Sequence, residues 1–250
     1  MKVIILAAGQ GTRIRSAHGE RPKCLIPFDR TGWTILDQQI DASFSSGARE
    51  IGIVVGYEKD QIIRHVTTNY RSRLHRFRFI ENSAFAETNN IYSLWMARNW
   101  VKGSSFAVLN ADVAFDPRIL PPAMSSRAPV TMIVDPAWRD ETMKVVIEKD
   151  RVVRMSKQIG HHEFSGTYIG ITIVDAAANA RLFDRIEDFV VRGEDRVFFN
   201  AAVQQLADEG LRVGYTETEG LPWAEIDDPG DLAFARLNVF PKLARIPAAA

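Results

Sequence analysis

An apolar run, Val3-Ile4-Ile5-Leu6, passes without interruption into Ala7-Ala8-Gly9-Gln10-Gly11-Thr12-Arg13. A short, continuous apolar run suits a strand buried on both faces, as in a parallel sheet covered by helices. The small residues that follow let the backbone turn sharply and present amide N–H groups to an anion. A loop in that place sits at the carboxyl edge of an open α/β sheet, where such folds bind ligands. Arg13 adds a fixed positive charge beside it. A dinucleotide fingerprint fits less well, because Ile14 stands where a third small residue belongs and the polar stretch 15–21, with Gly19, reads as a loop. A Walker A loop fits less well too, since Gly11-Thr12-Arg13 lacks the Gly-Lys-Ser/Thr ending.

The rest of the chain extends this pattern. Ile35, Leu36, Ile40 and Phe44 recur at helical spacing and Gly47 offers a stop. Residues 51–55 read as a second buried strand, 59–69 as a helix, 76–80 as a third strand, 90–100 as a helix and 106–110 as a fourth strand. Strands separated by helices imply a parallel sheet with right-handed crossovers. Pro121-Pro122 and Ser125-Ser126 read as a local loop. After Pro129 the pattern changes to closely spaced strand-like runs at 130–134, 144–148, 152–155 and 168–174. Helices at 176–191 and 196–209, short strands near Val213 and Ala224, and a closing helix from Pro229 complete the reading. The expected architecture is α/β: a mixed, mainly parallel sheet flanked by helices, with an antiparallel elaboration. One domain is expected over 1–240, with a tail at 241–250.

Composition narrows the function classes. Thirty-one basic and 31 acidic residues cancel, so no global field points to nucleic acid or to an anionic membrane. A single cysteine, Cys24, allows no internal disulfide and fits a reducing cytoplasm. The N-terminal apolar run is too short for a signal peptide, and no stretch reaches the ~20 apolar residues needed to span a bilayer. A cytoplasmic protein is expected, without nucleic-acid partners or membrane insertion; a homodimer stays open.

Leu6-Ala7-Ala8-Gly9-Gln10-Gly11-Thr12-Arg13 followed by Arg21-Pro22-Lys23-Cys24-Leu25 resembles the N-terminal signature of the nucleotidyltransferase family that includes sugar-1-phosphate nucleotidylyltransferases. The resemblance implies a Rossmann-like (GT-A-type) fold whose 1–128 half is mainly nucleotide-binding and whose 129–240 half, with the antiparallel acceptor-side elaboration, is mainly acceptor-binding. It also implies that Leu6, Ala7, Ala8, Gly9, Gly11 and Thr12 wrap a nucleotide while Arg13 and Lys23 act catalytically by neutralising its triphosphate. Transfer from an NTP calls for a cation that prefers oxygen ligands, so Mg²⁺ is the expected cofactor. Asp112 ends the strand 106–110 at the ligand-binding edge, and Asp227 precedes Asp228-Pro229, a pair with the form of a helix cap. The family carries metal-binding aspartates in these two places, so Asp112 and Asp227 are the expected ligands. Asp116, before Pro117, reads as a cap.

Glu81-Asn82, Thr88-Asn89-Asn90-Ile91-Tyr92-Ser93-Leu94 and Glu225-Ile226-Asp227 resemble the phosphocholine, phosphonate and inositol-phosphate cytidylyltransferase-like branch. Residues 140–145, 152–157 and 166–170 lean towards its inositol-phosphate and phosphonate members. The branch implies CTP and a small phosphorylated or phosphonate acceptor as partners. Asn89 and Ser93, at a helix start, are expected to bind the nucleotide, and Asn90 the acceptor; one of the two asparagines also suits a cap. Lys144, Lys157 and Tyr168 are acceptor-binding candidates, although the lysines would be equally ordinary as solvated strand residues. Trp95, Trp138, Tyr168 and Trp223 could form a cage for an ammonium group or serve as core. His161 and His162 are adjacent and make a poor joint ligand pair. The alternatives are a hexose-1-phosphate nucleotidylyltransferase using UTP, dTTP or GTP, and a catalytically silent nucleotide-sensing version of the fold.

Overall fold

The computed structural model of the chain describes residues 1–14, 16 and 19–243. Strand β1 (Lys2–Ala7) lies in the middle of the sheet, parallel to β2 (Glu50–Val55) on one side and to β4 (Phe106–Asn110) on the other. β3 (Phe77–Glu81) adds in parallel to β2 and forms one edge. Beyond β4 the direction reverses: β9 (Gly166–Val174) pairs antiparallel with both β4 and β6 (Val130–Asp135), and β10 (Val213–Glu217) adds in parallel to β6. The order along the sheet is β10-β6-β9-β4-β1-β2-β3. Two further strands, β7 (Lys144–Glu148) and β8 (Arg151–Ser156), form an antiparallel hairpin attached to β9. The architecture expected from sequence is present, with one refinement. β6 and β9 extend the main sheet, and the β7–β8 hairpin alone stands off its path.

Successive side chains of a strand point to opposite faces, and both faces here are covered. Val3, Ile5, Ile51 and Ile53 pack against Leu36 and Ile40 of α1 (Ile35–Ser45) and Ile62 and Val66 of α2 (Lys59–Asn69). On the other face, Ile4, Leu6 and Val108 meet Ile91 and Leu94 of α3 (Asn90–Met96), Leu182 and Ile186 of α6 (Ala176–Val191) and Leu206 of α7 (Asn200–Asp208). A third cluster joins the small antiparallel pair β5 (Val113–Phe115) and β11 (Trp223–Glu225) to α8 (Pro229–Asn238) through Ala114, Ala224, Ile226 and Leu232.

Three sequence expectations are corrected. The helix expected over 90–100 divides at Ala97, where the Ala97 N–H returns to the Leu94 carbonyl at 3.0 Å and α4 (Arg98–Val101) begins. Pro121-Pro122 opens α5 (Leu120–Met124) instead of a loop, because a proline in a first turn gives up no hydrogen bond. The helix expected from 196 starts at Asn200, since Asn89 N–H donates to Asp195 O (2.8 Å) and Phe199 N–H donates to Asn90 Oδ1 (2.8 Å), holding the preceding stretch out of helix. Arg15, Ala17 and His18, within the loop expected over 15–21, and residues 244–250 of the expected tail lie outside the described residues.

α1 is fixed by a capping box between Thr34 and Asp37, and the same carboxylate ties it to α2. Asp37 Oδ1 lies 2.8 Å from His65 Nε2 and accepts from Tyr70 Oη at 3.0 Å. Burial works against ionisation of Asp37, but these partners outweigh it and hold its pKa below the ordinary value. One turn on, Asp41 is different. Burial, reinforced by the charge of Asp37, pushes its pKa from 3.8 up to about 6. The protonated carboxyl therefore favours the fold, and that contribution is lost as pH rises through about 6. Asp41→Asn is expected to gain stability relative to the parent as pH rises from about 4 to about 7, by on the order of 1 kcal/mol or about 2–4 °C in melting temperature. Thermal melts of both proteins across that range check it.

Candidate active site

The carboxyl ends of β1 and β4 open into a cleft of about 330 Å³, an ordinary size for a small-molecule site. Leu6, Ala7, Ala8, Gly9, Gly11 and Thr12 form its floor. Gly11 turns the loop with φ +57°, a conformation that costs glycine little. Lys23 follows in a single 3₁₀ turn, Lys23–Leu25, and returns over the loop: a Cβ on Gly11 would lie 3.4 Å from Lys23 Cβ.

The carboxylates reach the cleft by strand pairing. β5 and β11 run antiparallel with Glu225 opposite Val113, and Ile226 N–H donates to Asp112 O at 3.0 Å. This register places Glu225 and Asp227, two apart and on one face, beside Asp112. Gln39 Nε2 anchors the other side, donating to Asn110 O and Val113 O, both at 2.8 Å. The capping box at the start of α8 takes Asp228 and Asp231, so the Asp227 side chain is left to face the cleft.

Carboxylate oxygens of Asp112, Glu225 and Asp227 all lie within 4.8 Å of one another. Lys23 Nζ bridges two of them, donating to Asp112 Oδ2 (3.0 Å) and Asp227 Oδ1 (2.8 Å), while Arg13 Nη2 pairs with Asp227 Oδ2 at 2.8 Å. Burial alone would lower the pKa of Lys23, but the two carboxylates more than offset it and the ammonium is held above the ordinary lysine range. Burial also opposes ionisation of Asp227, and Lys23 and Arg13 reverse that, leaving it below the ordinary carboxylate range. Glu225 lacks such a partner. Burial first, then the charges of Asp112 and Asp227, push it up to about 8. Asp112 Oδ1 is buried without a hydrogen-bond partner. An unpartnered buried oxygen beside two more carboxylates fits a hard divalent cation with oxygen ligands.

The other sequence-expected residues divide. Asn89, Asn90 and Ser93 line the cleft, but much of their polarity is used internally. Asn89 caps α3 and donates to Arg196 O (3.2 Å), Asn90 Oδ1 accepts from Phe199 N, and Ser93 Oγ accepts from Asn82 Nδ2 at 3.0 Å. Lys157 and Tyr168 also line it, the latter with its hydroxyl paired to Thr172 Oγ1 at 2.9 Å. Lys144 is not among the lining residues. It is buried, donates to Thr142 O at 3.3 Å and rests its ammonium 4.6 Å from the centre of the Trp138 ring. Cys24 is buried and its thiol pKa is pushed up to about 12, chiefly by burial, which suits packing and not nucleophilic attack. His161 stacks on Trp138 away from any His/Cys cluster among the described residues.

Glu225 was not singled out from sequence, although its spacing from Asp227 on a strand was a usable signal. Asn82, Phe85, Phe198 and Asn200 also line the cleft from connecting segments and helix ends, where no periodicity marks them. Gly170, in β9 with φ +84°, brings the sheet against Asn110: a Cβ there would lie 3.1 Å from Asn110 Nδ2.

Residues 3–205 match the family profile described as the MobA-like NTP transferase domain. The chain is 23% identical to the CTP:phosphoglutamine cytidylyltransferase of Campylobacter jejuni, across 93% of this chain and 98% of that protein. It is 24% identical to the CMP-5'-(3-aminopropyl)phosphonate synthase of Streptomyces rubellomurinus, across 92% of this chain and 37% of that longer protein. The solved inositol-1-phosphate CTP transferase from T. maritima superposes with a TM-score of 0.80 at 20% identity, covering 98% of each chain. No helix among the described residues is long and apolar enough to cross a membrane.

Asp112→Asn removes a negative charge from the carboxylate cluster and leaves the hydrophobic core untouched. Mn²⁺ affinity, followed by calorimetric titration, is expected to fall about tenfold or more, the equivalent of at least ~1.4 kcal/mol. The melting temperature without metal should stay within a few °C of the parent.

Proposed function

The chain belongs to the MobA-like NTP transferase family, and on that premise we propose that it transfers CMP from CTP to a small phosphate- or phosphonate-bearing acceptor, releasing pyrophosphate. The observation that carries this reading is the meeting of the glycine loop, Lys23, Arg13 and three clustered carboxylates in one cleft. Similarity to two relatives named for cytidylyl chemistry, over more than nine-tenths of this chain, supports the choice of CTP.

In this reading residues 1–128 supply most of the nucleotide site and 129–240 most of the acceptor site. The loop from Leu6 to Thr12 cradles the nucleotide through its backbone, and Asn89 and Ser93 border it from the start of α3. Asp112, Asp227 and Glu225 would hold Mg²⁺, whose charge would offset that of the phosphates. Lys23 and Arg13, now engaged with the carboxylates, are within reach to share their charge with the triphosphate. An acceptor oxygen forms a bond to the α-phosphorus as the bond to the β-phosphate oxygen breaks, and pyrophosphate leaves with the electron pair. That oxygen is already anionic, so no general base is required. Positioning and charge neutralisation supply the catalysis.

Lys23→Met is expected to lower kcat by about 10²-fold or more, since it deletes a preorganised charge from the reacting centre. The reading itself is tested by pyrophosphate release with Mg²⁺, each of four NTPs being offered with phosphocholine, 2-aminoethylphosphonate, inositol phosphate and hexose-1-phosphates. Release with CTP and phosphocholine, 2-aminoethylphosphonate or inositol phosphate is the expected result. Release with UTP, dTTP or GTP and a hexose-1-phosphate would replace the proposal with a sugar-nucleotide synthesis.

A further inference from the structure

The far wall of the cleft carries polar capacity that the fold does not consume. Asn200, the first residue of α7, lines the cleft, is only 4% exposed, and its Nδ2 has no hydrogen-bond partner. Tyr168 Oη is near enough to feel this amide, but the pair does not meet hydrogen-bond geometry. A buried donor left unpaired carries a desolvation penalty that a ligand oxygen would relieve. Lys157 adjoins the same wall with its ammonium 5.3 Å from the centre of the Phe198 ring, and Phe198 is 40% exposed at the cleft.

The tryptophans that might cage a quaternary ammonium are already occupied. Arg98 covers Trp95 (3.6 Å), Lys2 covers Trp100 (4.8 Å), Lys144 covers Trp138 (4.6 Å) and Arg139 covers Trp223 (4.1 Å). Trp138 also carries His161, at 3.6 Å between ring centres, and Trp223 is buried. The cation already beside each ring opposes a second one by like-charge repulsion. The aromatic side chains that do line the cleft are Phe85, Tyr168 and Phe198, and Lys157 already stands over the last of these.

The geometry points to an acceptor subsite at Asn200 and Lys157, bordered by Phe198, that holds its ligand through an oxyanion and gives no preference to a trimethylammonium group. The inference rests on the cytidylyl-transfer reading for its turnover arm and is independent of it for its binding arm. The oxyanion is either the acceptor's phosphoryl group or a carboxylate on its tail.

With CTP saturating, phosphocholine is expected to be no better an acceptor than phosphoethanolamine; a tenfold or greater preference for phosphocholine overturns the proposal. Asn200→Asp, which exchanges a donor for an anion at equal size, and Lys157→Gln, at an exposed position, are each expected to raise the acceptor KM about tenfold or more while the KM for CTP moves less than about twofold. A rise with both phosphoethanolamine and phosphoserine assigns the phosphoryl group, and a rise with phosphoserine alone assigns a carboxylate. Unchanged acceptor KM in the Lys157→Gln protein overturns the subsite whether or not the Asn200 variant folds. If no acceptor turns over with CTP, the functional reading fails and the subsite is judged by binding. Addition of phosphoserine, which carries both a phosphoryl group and a carboxylate, to the nucleotide-free protein should shift the Asn200 side-chain amide resonances and bind more weakly to the Lys157→Gln protein; unmoved resonances overturn it.

Discussion

The ammonium of Lys23 lies between carboxylates brought together from opposite ends of the chain, and the cleft depends on that contact. Asp112 and Asp227 are separated from Lys23 by 89 and 204 residues, yet both meet the same nitrogen. Ionised carboxylates less than 5 Å apart repel by on the order of 3 kcal/mol per pair at an effective dielectric of about 20. One cation among them turns a repulsive cluster into a cross-link between the 3₁₀ turn at Lys23, the end of β4 and the end of β11. Glu225, which the ammonium does not bridge, has its pKa raised instead, by burial first and by the charges of Asp112 and Asp227 after it.

The cross-link also explains the division of labour among acids in this region. Four acidic residues fall between 225 and 231, and each finds a different use. Asp228 and Asp231 satisfy backbone donors at the helix start, Asp227 meets the two cations, and Glu225 is buried with its charge suppressed. The local backbone, fixed by Pro229 and the capping box, is what selects the carboxylate that faces inwards.

Much of this was legible in the residues. β1 and its glycine loop could be read because a doubly buried strand and a tight turn each leave a compositional mark. Asp112 followed from its place after an apolar strand, and Asp227 from eliminating its neighbour as a cap. Glu225 was legible in principle, since period two puts it on the same face as Asp227. Lys144 illustrates the opposite case. It occupies a strand position where a lysine would ordinarily reach solvent, but its stem is buried and its charge is spent on Trp138 and a carbonyl. Asn200 left no mark, because its importance comes from a partner its neighbours fail to provide. The late start of α7 was hidden for a similar reason: Asn89 and Asn90, over a hundred positions earlier, hold the preceding backbone away from helix.

The pairing of β5 with β11 has a consequence in time. During synthesis the glycine loop, β1 and β4 leave the ribosome early, and their parallel pairing can form once residue 110 has emerged. The cleft cannot be completed then, because the strand that brings Glu225 and Asp227 is made more than a hundred residues later. A nascent chain would thus carry a nucleotide loop whose basic residues face an incomplete set of acids until those further residues exist. Domains dominated by such distant contacts fold more slowly than those built from local ones. β11 therefore works as a latch: the chemistry becomes available only after this strand has been made and has closed upon β5.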